Sequence, residues 1–256
     1  MKYYVVADPH GYFTILKNTL EEAGFFSDPL PHKLLVLGDL LDRGREAVKM
    51  QAFVQDLFQK GEIVFIRGNH EDLMMEMIAR YSVYRMDILR GLRCIHLLNG
   101  TFDTALQLTG FSYDDALRCP DAFIDELKKT PFVSELIPKS VDYLETGRYV
   151  FTHGYVPLFP SATEKKEWRR AEPAAWESAR WLNGMETAAV HGLTVPEKTV
   201  VCGHWTAAYG HSVLEGKGSE HGENADFSPY FGEGVIGLDA CTAYSGKINC
   251  LVIEDE

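Results

Sequence analysis

Five times along the 256 residues, a short apolar run stops at a glycine-bearing cluster of Asp, His or Asn. The clusters are Asp8-Pro9-His10-Gly11, Gly38-Asp39-Leu40-Leu41-Asp42-Arg43-Gly44, Arg67-Gly68-Asn69-His70-Glu71, Thr152-His153-Gly154 and Cys202-Gly203-His204-Trp205. Short apolar runs bounded by glycine read as buried strands. That pattern constrains the fold, because ligands of α/β sheets gather outside the carboxyl ends of the strands. Asp8, Asp39 and Asn69 are therefore expected along one edge.

Between the first three runs the spacing turns helical. Ile15, Leu16, Leu20 and Ala23 predict a helix over 14–23, stopped by Gly24, and Val48, Ala52, Phe53 and Leu57 predict another over 46–59. Strands at 3–7, 33–37 and 63–66 alternating with helices predict a largely parallel sheet covered by helices. A helix over 71–80 carries Leu73, Met74, Met77 and Ile78, and 81–140 reads as mostly helical. Further strands are predicted at 148–152, 199–202, 235–239 and 247–253, the last two as a meander. Residues 157–196 read as loops with short helices. The Gly-rich, charged stretch 214–230 reads as a mobile surface loop.

Composition narrows the function classes. With 46% apolar residues, 24% charged and 12% aromatic, the chain can bury a substantial core. A formal charge of −12 leaves no global electrostatic footprint for nucleic acid. The five cysteines are scattered without a CxxC pair, which argues against a disulfide scaffold or thiolate zinc site and points to a reducing cytosol. Cleavage of a leader would remove Asp8, so none is expected. No apolar run approaches spanning length, so no membrane association is expected.

The clusters carry metal-type donors. Asp8 and His10, one residue apart at a strand end, can face one ion; a turn Asp beside a surface His would read the same way. Asp39 is the simplest bridge between two ions about 3.5–4 Å apart, and an ordinary polar turn explains one Asp but not the accompanying Arg43 and Gly44. Asn69 offers a carbonyl and His70 an imidazole at a helix start, where Asn69 could equally be an N-cap and Glu71 a first-turn acid. His153 and His204 each end an apolar run beside glycine. His32, His96, His191, His211 and His221 lack that setting.

Taken in order, the blocks resemble the calcineurin-like metallophosphoesterases, and within them the phosphoprotein phosphatase branch, where GDxxDRG and GNHE occur together. Bacterial and phage members, including lambda-phosphatase-like enzymes, are similar in size and in Leu98-Asn99-Gly100, Gly237-Leu238-Asp239 and Gly246-Lys247. The resemblance implies an α/β fold: a β-sandwich flanked by helices, as α/β/β/α layers, with a helical cap. It implies a single domain over 1–256, with a helical insertion at about 81–145 and cap segments at about 157–196 and 206–233. Asp8, His10 and Asp39 would hold one metal; Asp39, Asn69, His153 and His204 the other. Mn is the leading ion, with Fe, Zn or Ni as alternatives. Arg43 would bind phosphate with Asn69 and His70. His70 would be the general acid and Asp42 its carboxylate partner, while a metal-bridging hydroxide attacks phosphorus.

Three departures bear on the substrate. The fourth block reads His153-Gly154-Tyr155 where the family places a small residue such as Ala after the His. A second phosphate-binding Arg is assigned to Arg180, with Arg169 and Arg170 competing. Members that cleave dinucleoside polyphosphates carry Thr-Gly after a C-terminal Asp; this chain has Asp239-Ala240-Cys241-Thr242. Cys241 is read as a buried small hydrophobe, with redox sensitivity as the alternative. The leading reading is a serine/threonine protein phosphatase acting on a phosphoprotein, phosphopeptide or small phosphoester. The alternatives are a dinucleoside polyphosphate hydrolase acting on diadenosine tetraphosphate-like nucleotides, and a non-catalytic phosphate- or metal-binding regulator.

Overall fold

A computed structural model describes residues 1–157 and 167–255. The first strands are β1 (Lys2–Val6), β2 (His32–Leu37) and β3 (Ile63–Ile66), separated by helices α1 (Phe13–Glu22) and α2 (Ala47–Lys60). They pair in parallel in the order β3-β2-β1, with Val5 opposite Leu35 and Leu35 opposite Val64. Both faces of this sheet are covered, which explains its nearly continuous apolar strands. Tyr4, Val6, Leu34 and Val36 pack against helices, whereas Val5, Ala7, Leu35 and Leu37 face a second sheet.

α3 (Asn69–Leu89) starts in the third block, breaks its helical backbone at Arg80 and continues well beyond the expected stop. The helices α4 (Ile95–Leu98), α5 (Thr101–Thr109), α6 (Tyr113–Arg118), α7 (Pro120–Lys129) and α8 (Ile137–Lys139) follow. They do not build a separate core. Phe102, Phe123 and Leu127 share one apolar cluster with Leu16 and Val36, so these helices extend the layer over the first sheet.

The second sheet holds β4 (Tyr143–Glu145), β5 (Tyr149–Thr152), β6 (Thr199–Cys202), β7 (Tyr230–Gly232) and β8 (Val235–Gly237), in the order β4-β5-β6-β8-β7. Phe151, Val201, Ile236 and Leu238 meet the first sheet, and Val150, Val200 and Val235 meet α9 (Pro173–Ala179) and α10 (Gly184–Ala189) through Trp176, Ala179, Met185 and Ala188. α11 (Ala207–Tyr209), α12 (Thr242–Ser245) and β9 (Cys250–Glu254) complete the chain. The layers are thus α/β/β/α.

Two sequence expectations need correction. The final strands are not a meander, because β8 pairs with β6 and β7 in the second sheet while β9 runs antiparallel to β1 in the first. Apolar runs of similar length say nothing about which sheet takes them. The stretch 214–230 is not wholly loop either, since Tyr230 begins β7, buried against Gly210 and Gly232. The part of the 157–196 segment at 158–166 lies outside the described residues. Among those described, no helix is long and apolar enough to cross a membrane.

Candidate metal centre

The carboxyl ends of β1, β2 and β3 meet those of β5 and β6 across the sandwich, so the five blocks converge. Their loops are tied by main-chain bonds: the N–H of His10 donates to Asp39 O at 3.0 Å, that of Gly44 to His10 O at 2.8 Å, and that of Gly203 to His153 O at 2.8 Å. The convergence holds strained backbone. Asp8, His10, Asp39, Asp42, Arg43, His204 and Cys241 all have φ between 46° and 75°. Left-handed conformations are costly for non-glycine residues and persist where the surroundings over-determine them. A side chain on Gly203 would overlap the Asp8 carboxylate, and one on Gly38 would come within 2.6 Å of His153 Nδ1.

Asp39 is the centre of the arrangement. Its Oδ2 lies 3.7 Å from both His10 Nε2 and His70 Nε2, while its Oδ1 lies 3.4 Å from His153 Nε2. Two donor groups therefore share one carboxylate: His10, Asp39 and His70 on one side, Asp39, His153 and His204 on the other. Asn69 Oδ1 joins the second group, 2.8 Å from His153 Nε2. His10 and His153 place Nδ1 at 3.1 Å from Leu41 O and 2.7 Å from Leu37 O; donation there puts a lone pair, not a proton, on each Nε2 facing the site. Asp8 lies outside both tight groups and accepts the N–H of His204 at 3.0 Å.

The electrostatics fit cations. Burial pushes the Asp8 carboxyl up, with Asp239 and Asp39 adding repulsion. Burial likewise raises Asp239 to about 6. Burial lowers His10 and His153, and takes His204 down to about 3, so these imidazoles are neutral, the form that binds metal. Burial opposes the charge on Asp39 too, and positive charge at the His153, His70 and His10 positions would be needed to hold its carboxyl below the usual range. Three buried carboxylates and neutral imidazoles beside a single arginine form a donor set that divalent ions complete.

His70 differs from the other histidines. Burial opposes its charge, but the Asp39 and Asp42 carboxylates outweigh it and raise its pKa. Its Nδ1 sits 2.7 Å from Asp42 Oδ2, which also accepts the Thr101 hydroxyl at 2.7 Å. Arg43 spans the site, with Nη1 3.0 Å from His10 Nε2 and Nη2 3.2 Å from His70 Nε2.

Other candidates fall elsewhere. Arg180 is buried, with one terminal nitrogen 2.6 Å from Asp72 Oδ2 and the other bonded to Asp142 Oδ1. Arg169 is paired twice with Glu145, at 2.7 and 2.6 Å, and Arg170 is exposed beside Glu167. Cys241 is only partly buried, its N–H held by Asp239 Oδ1 at 2.6 Å. Sequence reasoning missed Thr101 and Thr104, which clasp Asp42, because they lie 59 and 62 residues away. It also undervalued Glu71, whose fully buried carboxylate accepts the N–H groups of Gly68, Asp39 and Leu40. The Glu three residues past Gly68 is a capping-box signal that could have shown part of this.

Comparison with known proteins agrees with this geometry. The family model described as Calcineurin-like phosphoesterase matches residues 1–227. The chain is similar to bis(5'-nucleosyl)-tetraphosphatase PrpE [asymmetrical] of Bacillus subtilis (strain 168), 23% identical over 93% of this chain and 90% of that protein. Two solved structures share the fold. One, assigned provisionally as a diadenosine tetraphosphatase, has a TM-score of 0.52 at 16% identity, covering 98% of this chain and 89% of its own. The other, a cold-active protein tyrosine phosphatase, has a TM-score of 0.54 at 15% identity, covering 99% and 73%.

Proposed function

This chain belongs to the calcineurin-like phosphoesterases, hydrolases of phosphoester bonds, and from that premise we propose that its substrate is a dinucleoside polyphosphate. The observation that carries the chemistry is the division of Asp39, one carboxylate oxygen toward His10 and His70 and the other toward His153. The end-to-end similarity to a tetraphosphatase supports the nucleotide over the serine/threonine phosphoprotein placed first from sequence. At the departing turn Asp239-Ala240-Cys241, Cys241 holds φ at 51°, in the left-handed region that glycine adopts freely, so the backbone there would accept the Gly of those members without rearrangement. The non-catalytic reading falls with membership of a hydrolase family.

Asp8, His10, Asp39, Asn69, His153 and His204 would hold two divalent ions, Mn first among those the oxygen and nitrogen donors accept. Bound there, the ions supply Lewis-acid activation of water and neutralisation of phosphoryl charge. Arg43 binds phosphoryl oxygens with its planar fork. Asp42, anchored by Thr101, fixes His70 through Nδ1 so that Nε2 can deliver a proton to the leaving oxygen. Arg180 is left out of these steps, because both its terminal nitrogens already serve carboxylates.

Three measurements test this. With Mn supplied, kcat/KM for diadenosine tetraphosphate should exceed that for a phosphoserine peptide; the reverse order restores the protein phosphatase reading. His70→Asn should lower kcat for an alkyl phosphomonoester about 10²- to 10⁴-fold. The loss on p-nitrophenyl phosphate, whose leaving group hardly needs a proton, should be much smaller, and equal losses would remove His70 from the acid role. Arg180→Met should cost about 2 kcal/mol in denaturant unfolding, by stripping Asp142 and Asp72 of their shared partner. Turnover of p-nitrophenyl phosphate should change less than about tenfold, whereas a true phosphate ligand would cost about 10²-fold or more.

A further inference from the structure

Beside the metal centre a cavity of about 620 Å³ opens between the loop after β2 and the start of the helical insertion. Its wall includes Tyr12, Arg43, Arg45, Leu97, Leu98 and Asp103. Arg43 connects the two spaces: it is one of the residues lining the cavity, and its guanidinium reaches the Nε2 of His70, the atom that would protonate the leaving oxygen. The cavity thus adjoins, through Arg43, the side of the site on which His70 would protonate the leaving oxygen.

The lining is chemically divided. Arg45 is exposed and makes no ion pair or hydrogen bond among the described residues, although the chain carries 37 acidic against 25 basic side chains. Exposed Arg80, Arg118 and Arg148 each pair with a carboxylate, whereas Arg45, like Arg90 and Arg93, has none among the described residues, and of these three Arg45 alone lines this cavity. Two arginines two residues apart, neither paired with a carboxylate, form a track for successive phosphates. Leu98 is 65% exposed, and with Leu97 and Tyr12 it presents an apolar and aromatic shelf suited to a flat base. Asp103, held by Gln107 Nε2 at 3.0 Å, offers an acceptor for a sugar hydroxyl or a base N–H.

We propose that this cavity is the subsite for the leaving nucleotide, in which Arg45 binds its distal phosphates and the Leu97–Leu98 edge with Tyr12 receives the base. The assignment rests on the dinucleoside polyphosphate reading above. It makes Arg45 a specificity residue: its contact exists for a leaving group that extends through further phosphates and is absent for one that does not.

The test is Arg45→Ala, assayed at fixed free Mn with diadenosine tetraphosphate and p-nitrophenyl phosphate. The ratio of kcat/KM for the nucleotide to that for the nitrophenyl ester should fall about tenfold, as expected for a lost charge-assisted hydrogen bond. A ratio within twofold of the parent overturns the subsite. A second arm measures inhibition by inorganic tripolyphosphate and by orthophosphate, again at fixed free Mn. The preference for tripolyphosphate should shrink about tenfold in the variant, and an unchanged preference counts against Arg45 as a polyphosphate ligand. If the parent cleaves p-nitrophenyl phosphate but no dinucleotide, the substrate reading fails, and the inhibition arm alone decides whether Arg45 binds extended phosphate. Leu98→Asp provides an independent check on the base shelf. It should raise KM for the dinucleotide without altering the tripolyphosphate preference in the same proportion, and an unchanged KM removes the shelf.

Discussion

Asp39→Asn should abolish most turnover, with a loss on the order of 10³-fold or more, because one carboxylate serves both donor groups. The thermal behaviour should separate this from misfolding. Asp39 is buried among neutral imidazoles and close enough to Asp8 and Asp239 to repel both. An amide at that position keeps an oxygen for the N–H of His70, now accepted by Asp39 Oδ1 at 3.0 Å, and removes the repulsion. The metal-free variant should melt no lower than the metal-free parent. The rise in melting temperature on adding Mn, which follows from binding to the native state alone, should shrink sharply. Metal analysis after desalting would read the same loss as a drop below two equivalents. A variant that retains both the stabilisation and two bound ions would remove Asp39 from the bridging role.

Glu71→Ala should be the most damaging substitution for stability. The carboxylate collects three N–H groups, from Gly68 at 2.7 Å, Asp39 at 3.0 Å and Leu40 at 3.1 Å, and no water-exposed surface is left on the residue. Each buried donor left without a partner costs about 1–3 kcal/mol, so removal of all three should cost about 5 kcal/mol, comparable to the whole stability of many domains. Glu71→Gln keeps the shape but turns an NH2 group toward a backbone N–H, and about 2 kcal/mol is expected. Urea unfolding of the two variants provides the measurement. If Glu71→Ala unfolds within 1 kcal/mol of the parent, the loops after β2 and β3 are held by other contacts. Because those loops carry Asp39 and Asn69, metal affinity should fall in the glutamine variant even where the fold survives.

Much of this architecture is legible in the sequence. β1, β2, β3, β5, β6 and β8 were legible because short apolar runs ending at glycine are local signals, and burial of both sheet faces leaves those runs nearly unbroken. The donors followed directly, since a strand end fixes where the next side chains point. The convergence of Asp39, His70, His10 and His153 needed only that those strand ends meet.

Other features depend on chain segments far apart in sequence, and local spacing does not record them. Alternation shows that a face is buried without naming its partner, so the sequence pattern places β9 beside β8, whereas it closes the first sheet against β1, 244 or more residues away in register. Arg180 looked like a phosphate ligand because an arginine between the fourth and fifth blocks carries no mark of Asp72, 108 residues earlier, or Asp142, 38 earlier. Thr101 was invisible for the same reason, and Glu71 resembled any acid in a first helical turn until three N–H groups from two loops were seen to meet it. The order and identity of the donors were written locally, in residues each strand delivers at its own end. Which groups fix those donors in place, and which arginine stays free beside them, emerged only when long-range packing brought buried charges and backbone N–H groups into contact and forced each to find a partner.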